Sequence, residues 1–174
     1  QGAHISGLDR INWLLAMIAA MALGLWIWLA RNLYRYDPSP RFGSANGSPQ
    51  GLGGWLIFPG IGLIATPIVA LHTIVTNLDA WSAETWARLT TFGNAGYHAL
   101  WAPTLLFELV TLLGILVFGI LVAILFFRKR SSVPTLFISL HVAAAVQLLI
   151  DTVLIGSIPQ AESATSEMGQ TLGT

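Results

Sequence analysis

No cysteine occurs in the 174 residues, which excludes disulfides, thiolate nucleophiles and cysteine-ligated metals. Charge is nearly as scarce: Asp, Glu, Lys and Arg together make up 9%, where a soluble domain usually carries about 25%. A deficit of that size is more than a greasy core produces. With 55% hydrophobic residues and a mean hydropathy of +0.71 it marks a membrane chain. Neither sign dominates, because eight basic residues balance eight acidic ones. The one basic cluster, Arg128-Lys129-Arg130, is too short a run for nucleic acid, so no such partner is expected. A Gly-rich loop ending in Lys-Ser/Thr is missing, as are a nucleophile–base pair and a spaced set of metal ligands. These absences argue against an enzyme.

What is present is long apolar sequence. A helix crossing the hydrocarbon core needs roughly 20 mostly apolar residues, and four stretches provide them: about Ile11–Leu33, Gly53–Asn77, Trp101–Phe127 and Val133–Ile158. The expected fold is all-α, a polytopic membrane protein with four transmembrane helices. The first stretch is too long for a signal-peptide core and no small-residue cleavage site follows it, so it is expected to be retained. A Pro-, Gly- and Ser-rich linker covers Tyr36 to Gly51. The chain therefore divides into an N-terminal transmembrane helix with a cytoplasmic linker (1–50), a three-helix membrane domain (51–158) and a polar C-terminal tail (159–174). Between the second and third spans, Trp86, Leu89 and Phe92 recur at helical spacing, with Ser82 as a cap and Gly93 as a stop. They predict a short interfacial helix on the membrane surface.

Orientation follows from the cations. Arg31, Arg35 and Arg41 flank the first connection, and Arg128, Lys129 and Arg130 occupy the third. These six lie on one side, which the positive-inside rule makes cytoplasmic. Asp79, Glu84, Glu162 and Glu167 fall on the other side, so both termini are expected to be extracytoplasmic. Aromatic belts fit this placement: Trp26, Trp28, Tyr34 and Trp55 at the inner surface, Trp13, Trp81, Trp86, Tyr97 and Trp101 at the outer one.

Three blocks, GLGGWLIFPGIGLIATPI at 51–68, GYHALWAPTLLFEL at 96–109 and LFFRKRSSVPTLFI at 125–138, resemble an uncharacterised bacterial inner-membrane family, the domain of unknown function numbered 2569. The resemblance runs from Gly51 to Ile155. It implies a small multi-helix protein of the bacterial inner (cytoplasmic) membrane and no established activity. The sequence departs from the family in a hydrophobic helix added before the Gly-Gly-Trp-Leu motif and in a polar tail where a last helix is expected. Both departures point to adaptation to a particular partner.

Acids inside hydrocarbon are costly and default to functional candidates. Glu108 and Asp151 are the two, each roughly 10 Å below the outer end of its helix at 1.5 Å per residue. His72 lies nearer the surface. Thr104 and Thr111 stand one turn from Glu108, Gln147 one turn from Asp151 and Thr76 one turn from His72. With no Lys or Arg at that depth, the acids must be protonated, bonded to each other or to His72, or neutralised by a cation or a partner. Glu108, Asp151, His72, Gln147 and Thr111 are thus expected to form an intramembrane polar cluster. That cluster either fixes helix packing or binds a proton or ion.

Membrane histidines also ligate haem and chlorophyll-type pigments. His72 and His141 differ in depth by about 12 Å at the helical rise, which excludes one macrocycle bridging both. A single-histidine pigment or haem site at either is the remaining cofactor alternative; otherwise lipid contacts alone are expected. His4 and His98 have no metal-ligand spacing to another histidine. Pro59 and Pro67, with Gly54, Gly60 and Gly62, predict a kinked second helix whose backbone gaps neighbours fill. In the first helix Ala16, Ala20 and Gly24 form a small-residue seam at which another helix can approach closely.

The expected function is a non-catalytic accessory or assembly subunit of a bacterial inner-membrane complex, respiratory or photosynthetic, stabilising it through helix packing against other membrane subunits. The alternative is a small proton- or ion-coupled transporter or sensor using the intramembrane acids.

Overall fold

The computed structural model describes residues 11–35, 57–94 and 96–158. The linker 36–56 and the tail 159–174 lie outside the described residues, with His4, Arg41, Gly54, Trp55, Glu162 and Glu167. Five α-helices are present: α1 Trp13–Arg35, α2 Ile57–Thr76, α3 Ala83–Thr90, α4 Trp101–Phe127 and α5 Val133–Gly156. A 3-10 turn, Leu78–Trp81, joins α2 to α3. Among the described residues there is no strand. Helices α1, α4 and α5 are long and apolar enough to cross a membrane, and on that ground the chain is a membrane protein. The apolar stretch of α2, Gly60–Thr76, is shorter.

Helix α4 is the axis of the molecule: 44% of its most apolar window is buried, against 6% in α1 and 11% in α5. Helices α1, α2, α3 and α5 all pack on it. Pairings along its length set the directions. Leu15 packs near Leu105 and Leu109 at one end, and Ala30 near Leu121 and Leu125 at the other, so α1 runs parallel to α4. Leu63 and Leu140 both meet Val122 and Phe126, and α2 and α5 run antiparallel to it. Lipid tails are as apolar as Leu, so close packing and interhelical hydrogen bonds hold such helices together.

Small residues make that packing possible. A Cβ at Gly114 would lie 3.1 Å from the Trp26 indole, and one at Gly119 would lie 3.3 Å from Cδ of Pro67. The missing side chain at Gly114 also uncovers the Val110 carbonyl one turn earlier, which accepts the Trp26 indole N–H at 2.9 Å. Trp26 is therefore an interhelical bolt in the middle of α4 rather than a member of the inner belt. Trp81, expected in the outer belt, is buried and donates to the Leu105 carbonyl at 3.3 Å. In both cases a buried indole N–H requires an acceptor, and a helix carbonyl supplies it.

Helix ends follow local chemistry. Asn12 Oδ1 accepts from the Leu15 amide at 3.2 Å and starts α1. Pro103 and Pro134 sit in first turns, where no intrahelical N–H is needed. At the end of α4, Arg130 N–H bonds the Leu125 carbonyl and Lys129 N–H bonds the Phe126 carbonyl. This is a Schellman stop, with Lys129 at φ 54° in the position glycine usually takes.

Ser82 caps α3 as expected, accepting from the Thr85 amide at 3.2 Å. The apolar face of α3 is arranged differently from the sequence expectation. Trp86 and Leu89 pack on the Leu15–Trp81–Leu105 cluster, whereas α3 ends at Thr90 and leaves Phe92 87% exposed beside Gly93, whose φ is +93°. Leu89 and Trp86 have a protein surface to cover, and Phe92 falls beyond the helix that would have aligned it with them.

Candidate functional site

The two intramembrane acids lie on neighbouring helices, Glu108 on α4 and Asp151 on α5, and both are partly buried. No hydrogen bond joins them among the described residues. Gln147, one turn before Asp151 on α5, donates its Nε2–H to Asp151 Oδ2 at 3.2 Å. Asp151 Oδ1 is shielded from solvent and has no hydrogen-bond partner. Glu108 precedes Arg128 by twenty residues along α4, about 30 Å at the helical rise, so the pair lies toward the end of the bundle opposite the basic turn.

The threonines do not join this pair. Thr111 Oγ1 donates to the Phe107 carbonyl at 2.6 Å, and Thr104 Oγ1 donates to the Leu100 carbonyl at 2.7 Å. Each hydroxyl bonds the carbonyl four residues back, the local partner always in reach of a helical threonine. His72 is exposed on α2 and forms no side-chain bond to either acid; Thr76 Oγ1 reaches only its backbone carbonyl, at 2.9 Å. Of the five residues grouped from the sequence, Gln147 and Asp151 are the two that a side-chain hydrogen bond joins among the described residues.

His141 is exposed on α5, with Nδ1 2.8 Å from the Phe137 carbonyl and its ring 4.1 Å from that of Phe137. His98 Nδ1 accepts from the Leu100 amide at 3.3 Å. Among the described residues no three of His, Asp and Glu group as metal ligands.

On α1, Ala16, Ala20 and Gly24 are exposed, and a Cβ built on Gly24 meets nothing within 4 Å. The seam faces away from α4, which is met instead by Leu15, Trp26 and Ala30. Ala16 also borders an open apolar cleft formed with Leu15, Ala19, Leu78, Trp81 and Leu109.

At the other end the sequence reading did not foresee how the cations are organised. The guanidinium carbons of Arg128 and Arg130 each lie 5.5 Å from the centre of the Tyr34 ring, and Arg128 donates to the Tyr34 hydroxyl. A tyrosine at the end of a span next to a basic turn was the available signal. Its pairing depends on α1 running parallel to α4.

The family of proteins of unknown function DUF2569 matches residues 49–173. The matched segment begins beside the Gly-Leu-Gly-Gly-Trp motif and continues through the polar tail, and α1 lies before it. No curated protein and no solved structure is similar enough to match. With more than two thirds of its length in that segment, the chain belongs to the DUF2569 family.

Proposed function

We propose that the chain is a non-catalytic accessory or assembly subunit of a bacterial inner-membrane complex, holding other membrane subunits by helix packing. The observation that carries this is the open seam of α1. One face of α1 is closed on α4 by Trp26 and Gly114, while Ala16, Ala20 and Gly24 are exposed and have no helix against them among the described residues. Seams of this kind let helix backbones approach closely. In this reading α2 is a fourth span, supported by its antiparallel packing along α4, and α3 lies at the outer surface. The basic end is cytoplasmic and both termini are outside.

The test is Gly24→Leu. A Cβ there meets nothing within 4 Å among the described residues, so folding and insertion should be kept while partners recovered in mild detergent are lost. Unchanged recovery, or a wild-type chain that runs alone where other complexes survive, removes this reading.

A second reading, a small proton- or ion-coupled transporter or sensor, is favoured by the partly buried acids on the neighbouring helices α4 and α5 and by Asp151 Oδ1, which has no partner among the described residues. It predicts that Glu108→Gln and Asp151→Asn abolish flux in liposomes from a protein that still folds. Equal flux with and without those substitutions eliminates it.

A further inference from the structure

Helix α4 is covered on nearly every side, and its exceptions form a pattern. Apart from Pro103 in the first turn, its exposed residues are Ile120, Ile124 and Phe127. They stand at i, i+4 and i+7, so they make one continuous strip. At 100° per residue the strip falls between the side that meets α1, marked by Gly114 and Leu121, and the side that meets α2, marked by Gly119 and Phe126. Among the described residues it is the exposed floor of a slot between α1 and α2. Next to Phe127, where the strip ends, stand Arg128 and Lys129, both exposed.

The turn at that end is built to present cations. Arg128 is anchored by its bond to the Tyr34 hydroxyl and by the face of the Tyr34 ring. One of five N–H donors is engaged there, and the planar fork keeps others for an anion. Arg130 shares the same ring. Lys129 holds a left-handed position that glycine fills more easily, at φ 54°, so its side chain is present at a backbone cost. The four described acids, Asp79, Glu84, Glu108 and Asp151, all lie toward the opposite end of the molecule.

We infer that Arg128 and Lys129 seat the phosphate of an anionic phospholipid whose acyl chain lies along Ile120, Ile124 and Phe127 between α1 and α2. Free phosphate satisfies only the cations and leaves the strip without a role. A zwitterionic lipid fills the strip, but its headgroup ammonium offsets the charge that the cations recognise. Basic residues at a membrane surface attract anionic headgroups, and the slot gives that attraction one address. The inference rests on the chain being membrane-embedded and not on the accessory-subunit reading.

The experiment is native mass spectrometry of the detergent-purified full chain, titrated with phosphatidylglycerol or phosphatidylcholine. Retention of phosphatidylglycerol should exceed that of phosphatidylcholine by roughly thirtyfold, from two cationic contacts. The R128Q/K129Q double variant should lose that preference, and R88Q at the far end should keep it. Ile124→Trp, which fills the slot without touching the charges, should lower phosphatidylglycerol retention, and inorganic phosphate should not displace the lipid. If the double variant fails to fold, Lys129→Gln alone supplies the reading, since that side chain has no hydrogen bond or ion pair among the described residues. Equal retention of the two lipids, an unaffected variant, or full displacement by inorganic phosphate overturns the inference. Survival of the lipid preference in Gly24→Leu, with partners lost, separates this site from the α1 seam.

Discussion

Gly114 and Trp26 show how one missing side chain organises two helices. Because residue 114 has no Cβ, the Val110 carbonyl is reachable from α1, and the indole both packs over the gap and donates into it. Trp26→Phe keeps a ring in the space and removes only the hydrogen bond. Interhelical bonds in membranes average about 0.6 kcal/mol and reach about 1.7 kcal/mol, so a loss of about 1 kcal/mol in reversible detergent unfolding is expected. Gly114→Val should cost more, roughly 1–3 kcal/mol as for overpacked cores, because the Cβ already meets the indole at 3.1 Å. A Gly114→Val chain as stable as wild type would mean that α1 does not dock there. Asp151→Asn should leave stability nearly unchanged, since Asn keeps an acceptor for Gln147 and removes a carboxylate that no cation among the described residues neutralises.

At the scale of elements, α1 and α3 attach to the bundle for different reasons. Helix α1 precedes the family segment yet packs along α4, which lies inside that segment, with a face of its own. It should therefore be separable. A chain beginning after the linker should retain α2 to α5, with α4 newly exposed at Gly114. Limited proteolysis of detergent-solubilised protein would show a stable fragment if that holds. Helix α3 has eight residues, too few for stability by propensity alone, and depends on the Ser82 cap and on Trp86 and Leu89 against the core. Ser82→Ala should cost about 1 kcal/mol and speed hydrogen exchange at the Thr85 and Trp86 amides without affecting α4. Unchanged exchange there would show that side-chain packing alone holds the turn.

At the scale of the whole molecule, charge among the described residues is sorted by end, with Arg88 on α3 the exception. Among the described residues, Arg31, Arg35, Arg128, Lys129 and Arg130 lie at one end, and Asp79, Glu84 and the intramembrane acids lie toward the other. The absence of cysteine makes the proposed orientation directly measurable, because any cysteine introduced is the sole thiol. Glu84→Cys should react with an impermeant maleimide applied outside intact cells, and Lys129→Cys should react only after the membrane is opened. The reverse pattern would invert the topology, and labelling of both would show that the two sites share a side.

The membrane class, the helical content, the bounds of α4, the Ser82 cap and the one-turn pairing of Gln147 with Asp151 follow from the sequence alone. Each rests on composition or on neighbours within one turn, where chain geometry leaves little freedom. For Glu108 and Asp151 only a similar depth on two helices was legible, since depth is set by counting residues but facing is not. The exclusion of His72 and Thr111 from that pair, the turn of Trp26 and Trp81 from interface anchors to interhelical bonds, and the gathering of Arg128 and Arg130 on Tyr34 were decided by tertiary structure. All depend on which helix lies beside which and at what rotation. In an apolar sequence with weak amphipathic contrast that choice is made by where glycines let backbones approach, and it is visible only when the helices are packed together.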